Sequence, residues 1–372
     1  MDVRGWRLML VVVLSLAALT SCSRMEAPRP NKPSTDYQAL QQAIENRITT
    51  GSAALDNVRS VLVSVDGETR VSHYRHGFTA ADTTHVRSVT KSVVSTLVGI
   101  AASEGLIDSL DQPLAELLPK HRRAMPPEVA TVTLRQLMTM SAGFSGDPPP
   151  GPTRRLFASH GDLVAYLLRE CHSTAGQGQF AYSNVSSHLV AAVLADALER
   201  RDEGRPRSVL DYAREKLFDP LGIVSRPAFT EPVYDDSVKF DRARFGWSTD
   251  PVGISMGAFG LRLTTADLLK LGQVHLDDGV WQGRQVVPAE WVRQATTASA
   301  AEPQYGLMWW LHNWNGHQVY AARGSEGHLV VVVPDQRLVT AISSANHQEF
   351  VMDEEALFPL LTEVVMPAVQ GS

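Results

Sequence analysis

The stretch VRSVTKSVV, residues 86–94, shapes the interpretation of this chain, because it places Ser88 and Lys91 at the start of an apolar helical pattern. On a helix, the Ser-x-x-Lys spacing puts both side chains on one face, a turn apart. A serine hydroxyl becomes nucleophilic when a base takes its proton, and a lysine can be that base when burial or charge lowers its pKa. The pair predicts nucleophilic catalysis. The alternative is an ordinary helix start, with Ser88 as the cap and Lys91 solvated.

The beginning of the chain predicts export and a lipid anchor. A positively charged start precedes an apolar run at residues 8–19, which is typical of a secretory signal and too short to span a membrane stably. The sequence LTSC at residues 19–22 resembles a bacterial lipobox. We therefore expect residues 1–21 to be a lipoprotein signal peptide. Lipid on Cys22 would then hold the mature protein on a membrane without a spanning helix.

A proline-rich tether at residues 22–36 would separate one catalytic domain, residues 37–370, from that membrane. The expected location is the bacterial cell envelope, facing the periplasm. The outer membrane is a candidate because Ser23 follows the lipidated cysteine. If Cys22 is lipidated, the other cysteine, Cys171, has no disulfide partner within the chain, and we interpret it as structural.

Composition excludes several classes of function. The net charge is −6, and no run of Lys or Arg marks a nucleic-acid surface. The twelve histidines do not fall in the spacings of zinc sites, and the sequence has no glycine-rich phosphate loop. We therefore predict no metal, no cofactor and no nucleic-acid partner. The expected partners are a small-molecule ester or amide substrate and the membrane.

The order of patterns along the chain predicts an α+β fold. A hairpin pattern at residues 61–74 turns at Asp66-Gly67-Glu68, and helical patterns dominate a lobe at about residues 108–250. Strand patterns return towards the C-terminus, at residues 307–311, 318–322, 328–333 and 338–343, and a helix at residues 353–365 follows them. We expect an antiparallel sheet built from N- and C-terminal segments, flanked by helices and interrupted by a mainly helical inserted lobe.

Two later motifs accompany the Ser-x-x-Lys pair. YSN, residues 182–184, is predicted in a loop before a helix, and ARGS, residues 322–325, at the end of a strand. With SVTK at residues 88–91, in this order, the chain resembles the serine β-lactamase and penicillin-binding-protein superfamily. The resemblance is to its class C-like branch of esterases and 6-aminohexanoate-oligomer hydrolases. It covers the chain from Tyr37 to the C-terminus and includes the segments at residues 104–108, 132–138, 141–143 and 260–268.

The resemblance implies a role for each motif residue. Ser88 would attack a carbonyl, Lys91 would take its proton, and Tyr182 would share the base role and pass a proton to the leaving group. That role for Tyr182 requires cations or donors that lower its pKa. Asn184 would donate to a substrate carbonyl and help to fix Lys91. The alternatives are a half-buried aromatic side chain for Tyr182 and a helix cap for Asn184.

The strand motif implies an oxyanion hole and a substrate preference. The backbone N–H groups of Ser88 and Ser325 would form the hole, beside Gly324, for which close backbone packing is the alternative role. In β-lactamases and transpeptidases this motif opens with Lys or His, which helps to bind the substrate carboxylate, whereas here it opens with Ala322. If Gly324 lines the cleft, Ala322 does too, and Arg323 points away.

We therefore predict a serine hydrolase that cleaves an ester or amide of a neutral small substrate through an acyl intermediate on Ser88. The first alternative is a class C-like β-lactamase or D-alanyl-D-alanine carboxypeptidase. The second alternative is a non-catalytic envelope-binding protein on the same fold. The joint presence of Ser88, Lys91, Tyr182 and Asn184 speaks against this second alternative.

Overall fold

The computed structural model describes residues 36–144, 161–201, 207–232, 238–345 and 356–370. The predicted signal peptide, Cys22 and the tether up to residue 35 lie outside the described residues. These features and the predicted domain boundaries therefore stay predictions. Within the described ranges, no helix combines the length and apolar character needed to cross a membrane.

The largest sheet has six antiparallel strands that come from both ends of the described chain. In spatial order they are β10 (Trp310–Trp314), β11 (His317–Gly324), β12 (His328–Val333), β13 (Leu338–Ser344), β1 (Val58–Val65) and β2 (Glu68–Tyr74). In the register of β1, Val61 lies opposite Ile342 of β13 and opposite His73 of β2. This sheet and its flanking helices confirm the predicted α+β class, with an antiparallel sheet assembled from N- and C-terminal segments.

The β1–β2 hairpin turns at Asp66 and Gly67, as the sequence predicts. Their φ angles are 52° and 80°, the left-handed backbone that a two-residue hairpin turn of type I′ requires at both positions. The turn fixes the register of the hairpin, which sets the side chains that β1 presents to each face of the sheet.

Both faces of the sheet are covered by apolar cores. All six residues of β12 are buried, as expected of a strand without a solvated face. Alternate side chains of the sheet enter two different cores. One core is shared with α2 (Val89–Ser103) and α10 (Thr265–Leu276), and the other with α1 (Tyr37–Thr50) and the helical segment Leu360–Val365, which continues into α12 (Met366–Gln370).

The chain between β2 and β10 supplies most other helices and the small sheets of the described structure. Its helices are α3 (Leu114–Leu117), α4 (Pro127–Ala130), α5 (Leu134–Met138), α6 (Leu163–Glu170), α7 (Asn184–Arg201), α8 (Val209–Ala213), α9 (Val238–Asp241) and α11 (Ala289–Ala295). The strands are β3 (Thr83–His85), β4 (Ala142–Phe144), β5 (His172–Gln177), β6 (Gly246–Trp247), β7 (Leu261–Thr264), β8 (Val280–Trp281) and β9 (Arg284–Gln285). They form the sheets β3-β7-β6, β4-β5 and β8-β9.

The helix that carries the Ser-x-x-Lys pair has the predicted ends. Val89–Ser103 is helical after Ser88, and Gly105, with φ of 71°, follows its end. Its apolar side chains are buried because α2 packs beneath the sheet and against α7 and α11. The first turn of α2 is therefore held from several sides, which fixes the backbone at Ser88.

One strand lies later than the sequence pattern indicates. The predicted strand at residues 307–311 is displaced, and β10 begins at Trp310. The N–H groups of Leu307 and Met308 donate to carbonyls at the ends of α11 and α5, so this segment bonds outside the sheet. Its apolar pattern reflects packing between two helices rather than a strand.

Candidate active site

Ser88 lies at the N-terminal end of α2, where the chain leaves a strained turn. Arg87 has a φ of 50°, which non-glycine residues rarely adopt, and Ser88 follows in a right-handed helical conformation. Within the described structure, the amides of the first turn of α2 do not donate to the Ser88 side chain, so Ser88 is not a side-chain cap. Its hydroxyl instead contacts Lys91 and Tyr182.

Lys91 is buried, with 1% of its surface exposed, and its amine has three close neighbours. Nζ lies 3.0 Å from Ser88 Oγ, donates to Asn184 Oδ1 at 2.7 Å and donates to the carbonyl of Ala258 at 2.9 Å. Burial lowers the pKa of Lys91 from 10.5 to about 7. The alternative of a solvated lysine is therefore wrong.

The two oxygen acceptors fix the direction of the Lys91 lone pair. A neutral amine has two N–H bonds and one lone pair. When the N–H bonds point to Asn184 Oδ1 and Ala258 O, the lone pair is left for the third neighbour, Ser88 Oγ. In its neutral form, Lys91 is thus oriented to accept the hydroxyl proton of Ser88.

The carbonyl of Ala258 is placed by a loop that packs against α7. His188 Nε2 of α7 lies 3.4 Å from Asp250 Oδ2, and both side chains are fully buried. Asp250 Oδ1 accepts a hydrogen bond of 2.8 Å from the N–H of Ile254. A Cβ on Gly257 would lie 2.1 Å from the Ser187 carbonyl, so only glycine permits this approach of the loop to the helix.

Asn184 and Tyr182 come from the start of α7. Asn184 is the first residue of this helix, whereas the sequence pattern predicts it in the loop before the helix. Its Oδ1 accepts the bond from Lys91, so the structure brings together the two residues that the resemblance pairs. Tyr182 shares a hydrogen bond with Ser88, and the amine of Lys91 lies 4.8 Å from the centroid of its ring.

The direction of the Tyr182 pKa differs from the expectation. Burial raises it to about 12, although the hydrogen bond with Ser88 and the charge of Arg323 act in the opposite direction. At neutral pH the phenol is therefore protonated. This environment favours the phenol, which can donate a proton, over the phenolate that the predicted base role requires.

An aromatic cluster holds Tyr182 in place. Its ring stacks on Trp310, with centroids 5.5 Å apart and planes 30° apart, and meets Tyr305 edge to face at 6.2 Å. Tyr305 in turn lies 4.9 Å from Trp310 and 5.2 Å from Phe180. Such stacked and edge-to-face pairs restrict ring orientation beyond simple burial. Trp310 and Phe180 are themselves half-buried.

Gly324 and Ser325 lie at the end of β11, next to the Ser88 turn. A Cβ on Gly324 would lie 2.3 Å from the carbonyl of Val86 and 3.2 Å from the Cβ of Arg87. Glycine is therefore required for close backbone packing here, which was the alternative interpretation of Gly324. The same contact brings half-buried Ser325 into the neighbourhood of Ser88.

The neighbouring strand residues point to opposite faces of the sheet. Ala322 is 2% exposed and lines a small cavity with Val89, behind the first turn of α2, so the expectation that its side chain lines the open cleft is wrong. Arg323 faces the other way, with its guanidinium 4.8 Å from the ring centroid of Trp310 and 4.9 Å from that of Phe358. Neither Ala322 nor Arg323 therefore places a positive charge on the face of the sheet that packs against α2.

Other candidate groups do not join this arrangement. Cys171 is buried, and burial raises the pKa of its thiol to about 11, which fits the structural interpretation. In the part of the chain that the structure describes, no three His, Cys, Asp or Glu side chains form a group that could hold a metal ion.

Three contributions to the site were missed by sequence reasoning. The Ala258 carbonyl has no side-chain signal, and the stack of Tyr182 on Trp310 joins residues far apart in sequence. The third is an ion pair between Arg87 and Glu326, which flank Ser88 and Ser325. Their charges were visible in the sequence, but nothing in the spacing indicated that they meet.

The fold and the arrangement around Ser88 define the class: a serine hydrolase related to β-lactamases. The chain belongs to the Beta-lactamase family, whose model matches residues 40–363. This membership confirms both the predicted superfamily and the prediction of an enzyme.

Similar proteins fall in the same group. The chain is 26% identical to penicillin-binding protein 4 of Amycolatopsis lactamdurans, over 68% of this chain and 70% of that protein. It is 23% identical to the 6-aminohexanoate-dimer hydrolase of Paenarthrobacter ureafaciens, over 79% and 74% of the two chains. Among solved structures, EstCE1, described as a hydrolase with promiscuous acyltransferase activity, has a TM-score of 0.65 at 15% identity. That match covers 90% of this chain and 100% of EstCE1, and it shows the likeness of fold.

Proposed function

We propose that the protein cleaves an ester or amide of a neutral small substrate through an acyl intermediate on Ser88. The observation that carries this proposal is the position of the Lys91 amine, 3.0 Å from Ser88 Oγ, with a pKa of about 7. A base with a pKa near the working pH is present in its active form and accepts a proton readily.

Acylation would begin when neutral Lys91 takes the proton of Ser88 while Oγ attacks the substrate carbonyl carbon. The carbonyl oxygen becomes an oxyanion, to which the N–H groups of Ser88 and Ser325 would donate. Tyr182, protonated because its pKa is about 12, would donate its proton to the departing alcohol or amine. Lys91 would then pass the proton taken from Ser88 to the Tyr182 phenolate, which returns Lys91 and Tyr182 to their starting forms.

Deacylation would follow the same path with water as the nucleophile. Lys91 would take a proton from water as its oxygen attacks the acyl carbon, and the bond to Ser88 Oγ would then break. Lys91 would give the proton taken from water to Ser88 Oγ, and a carboxylic acid is released. The positive end of the α2 dipole at the Ser88 amide favours the negative charge that develops in both steps.

The departure from the motif's Lys or His at position 322, rather than the direction of the Ala322 side chain, supports a neutral substrate. In the penicillin-recognising relatives, the resemblance places a Lys or His at this position, where it helps to bind a carboxylate. Here the side chain is a buried methyl group, and the guanidinium of Arg323 lies on the opposite face of the sheet, close to the rings of Trp310 and Phe358. The 6-aminohexanoate-dimer hydrolase and EstCE1 support acyl cleavage outside β-lactam chemistry.

A β-lactamase or D-alanyl-D-alanine carboxypeptidase is the second candidate, because a penicillin-binding protein is among the similar proteins. The deciding experiment compares a chromogenic short-chain ester with a chromogenic cephalosporin, using the purified protein and Ser88→Ala. We expect ester turnover by the wild type, loss of turnover in the variant, and an acyl adduct on Ser88 detected by mass.

Three outcomes would contradict the proposal in different ways. Ester turnover that survives in Ser88→Ala excludes Ser88 as the nucleophile. Efficient cephalosporin hydrolysis would contradict a preference for neutral esters and amides and would favour the second candidate. If neither substrate is cleaved across a broad panel and no adduct forms, the non-catalytic binding protein becomes the better explanation.

We also propose that Cys22 anchors the enzyme in the bacterial cell envelope, supported by the apolar run and LTSC sequence at residues 8–22. Metabolic labelling with an alkyne-tagged fatty acid should mark the wild type but not Cys22→Ala. Cell fractionation would then assign the labelled protein to the inner or outer membrane. Equal labelling of both proteins would contradict the anchor.

A further inference from the structure

An ion pair joins the two chain segments that would carry the oxyanion-hole donors. Arg87 immediately precedes Ser88, and Glu326 immediately follows Ser325. Arg87 Nη2 lies 2.7 Å from Glu326 Oε1, and the two side chains are only 11% and 18% exposed. An ion pair this well shielded from solvent is stronger and more sharply positioned than an exposed pair.

Both residues of the pair have strained backbones. The φ angles of Arg87 and Glu326 are 50° and 71°, in the left-handed region that favours glycine. Side chains in this region persist where the surrounding structure holds them, and such strain concentrates at functional sites. The ion pair links the turn at Arg87 to the turn at Glu326.

The backbones of the two segments also touch. Gly324, two residues before Glu326, packs so closely that an added Cβ would lie 2.3 Å from the Val86 carbonyl. Two contacts therefore hold the segments together. One is the packing of Gly324 against Val86, and the other is the Arg87–Glu326 ion pair. This arrangement leaves little freedom for the two amide groups to move apart.

We propose that the Arg87–Glu326 ion pair is a positioning device that sets the separation of the Ser88 and Ser325 N–H groups. This inference rests on the proposed function, in which those groups bind the oxyanion. Neither charged side chain needs to touch the substrate. Oxyanion donors act at about 2.7–3.1 Å from the developing charge, so a small change in separation weakens stabilisation of the transition state more than substrate binding.

The test is Glu326→Gln, which removes the charge with little change in size. The matched control is Glu290→Gln, because Glu290 pairs with Arg293 at 2.6 Å on α11, with both side chains largely exposed. For hydrolysis of a para-nitrophenyl ester, we expect Glu326→Gln to lower kcat by at least about 10-fold, towards the roughly 10²–10³-fold typical of losing one donor. KM should change by less than about 2-fold, since positioning acts on the transition state. The control should match the wild type.

A double variant separates positioning from general stability. If the pair acts as a unit, Arg87→Gln combined with Glu326→Gln should lower kcat no further than the more damaging single variant. Thermal unfolding of every variant shows whether it is folded, and Glu326→Asp, which keeps the charge, replaces Glu326→Gln if that variant is unfolded. An unchanged kcat, a loss confined to KM, or additive losses in the double variant would overturn the inference.

A fluorophosphonate probe distinguishes this inference from the proposed function. The probe labels an activated serine, and mass analysis locates the label. No labelling of Ser88 in the wild type would refute the proposed function, and this inference with it. Labelling of Ser88 at equal rates in the wild type and Glu326→Gln would refute the positioning role alone. Slower labelling of the variant is the expected result.

Discussion

Lys91 Nζ donates a hydrogen bond of 2.7 Å to Asn184 Oδ1, across 93 residues of sequence. The bond joins the first turn of α2 to the first residue of α7, so it links the proposed nucleophile's helix to the helix that follows Tyr182. Since Asn184 accepts this bond through a neutral amide oxygen, it orients the amine without adding a negative charge that would hold the proton on it.

The first prediction concerns the pH dependence of activity. Because neutral Lys91 is the proposed base and its pKa is about 7, kcat/KM should rise with pH and level off above that value. Lys91→Met should lower kcat/KM by about 10²–10⁴-fold, the usual contribution of a general base. Lys270→Met, which removes a lysine bonded to Asp267 and the Gly222 carbonyl, is the control and should retain activity. A profile that is flat between pH 5 and 9 would refute the assignment.

The second prediction concerns the bond from Lys91 to Asn184. Asn184→Asp would place a carboxylate at hydrogen-bond distance from the amine, which favours the protonated form and raises the lysine pKa by about 1–3 units. The acid limb of the pH–rate profile should therefore move to higher pH. Asn184→Ala lacks the charge and should reduce the rate without that displacement. If the acid limb of the pH–rate profile lies at the same pH in the two variants, position 184 does not influence the protonation of Lys91.

The third prediction concerns stability. The pKa of Lys91 is about 7 in the folded protein and close to 10.5 in an unfolded chain, so the unfolded chain holds the extra proton between those values. Raising the pH through this window therefore stabilises the fold. The free energy of unfolding of the wild type, relative to Lys91→Met, should increase by roughly 2 kcal/mol from pH 7 to pH 9. Chemical denaturation of both proteins measures this difference, and a constant difference would mean that the folded-state pKa is close to normal.

The fourth prediction concerns Gly324. An alanine at this position would put its Cβ 2.3 Å from the Val86 carbonyl, so the strand must shift away from the Ser88 turn. Gly324→Ala should destabilise the protein by about 1–3 kcal/mol, the usual range for overpacking, and should also lower kcat. Gly176→Ala is the matched control, because its added Cβ would meet only ordinary contacts, the nearest at 3.6 Å. Equal stability and activity in the two variants would contradict the close packing.

Elements with a clear local pattern of apolar or turn residues could be predicted from the sequence. The apolar spacing of α2, the Asp66-Gly67 turn and the strand pattern at residues 328–333 each agree with the structure. Local pattern was insufficient at residues 307–311, because an apolar run that packs between helices has the same composition as a buried strand. There the tertiary hydrogen bonds, not the residue types, determine where β10 begins.

The site likewise contains residues that sequence motifs predict and groups that only the tertiary structure shows. Ser88, Lys91, Tyr182 and Asn184 could be named because their side chains form ordered motifs, and the structure brings them together. The Ala258 carbonyl could not be named, since every residue carries the same backbone group. The direction of the Tyr182 pKa was also beyond sequence reasoning, because it depends on how burial compares with a hydrogen bond and a nearby charge.

The pairing of β1 with β13 has a consequence for the synthesis of the chain. Residues 58–65 leave the ribosome long before their partners at residues 338–344. The sheet therefore closes only after residues 338–344 have been made, and contacts of such long sequence separation form slowly. Until then, one edge of the β1–β2 hairpin has no partner, and an open strand edge invites pairing with other chains. A chain that stops before residue 338 would expose this edge to aggregation and would not give a smaller working enzyme.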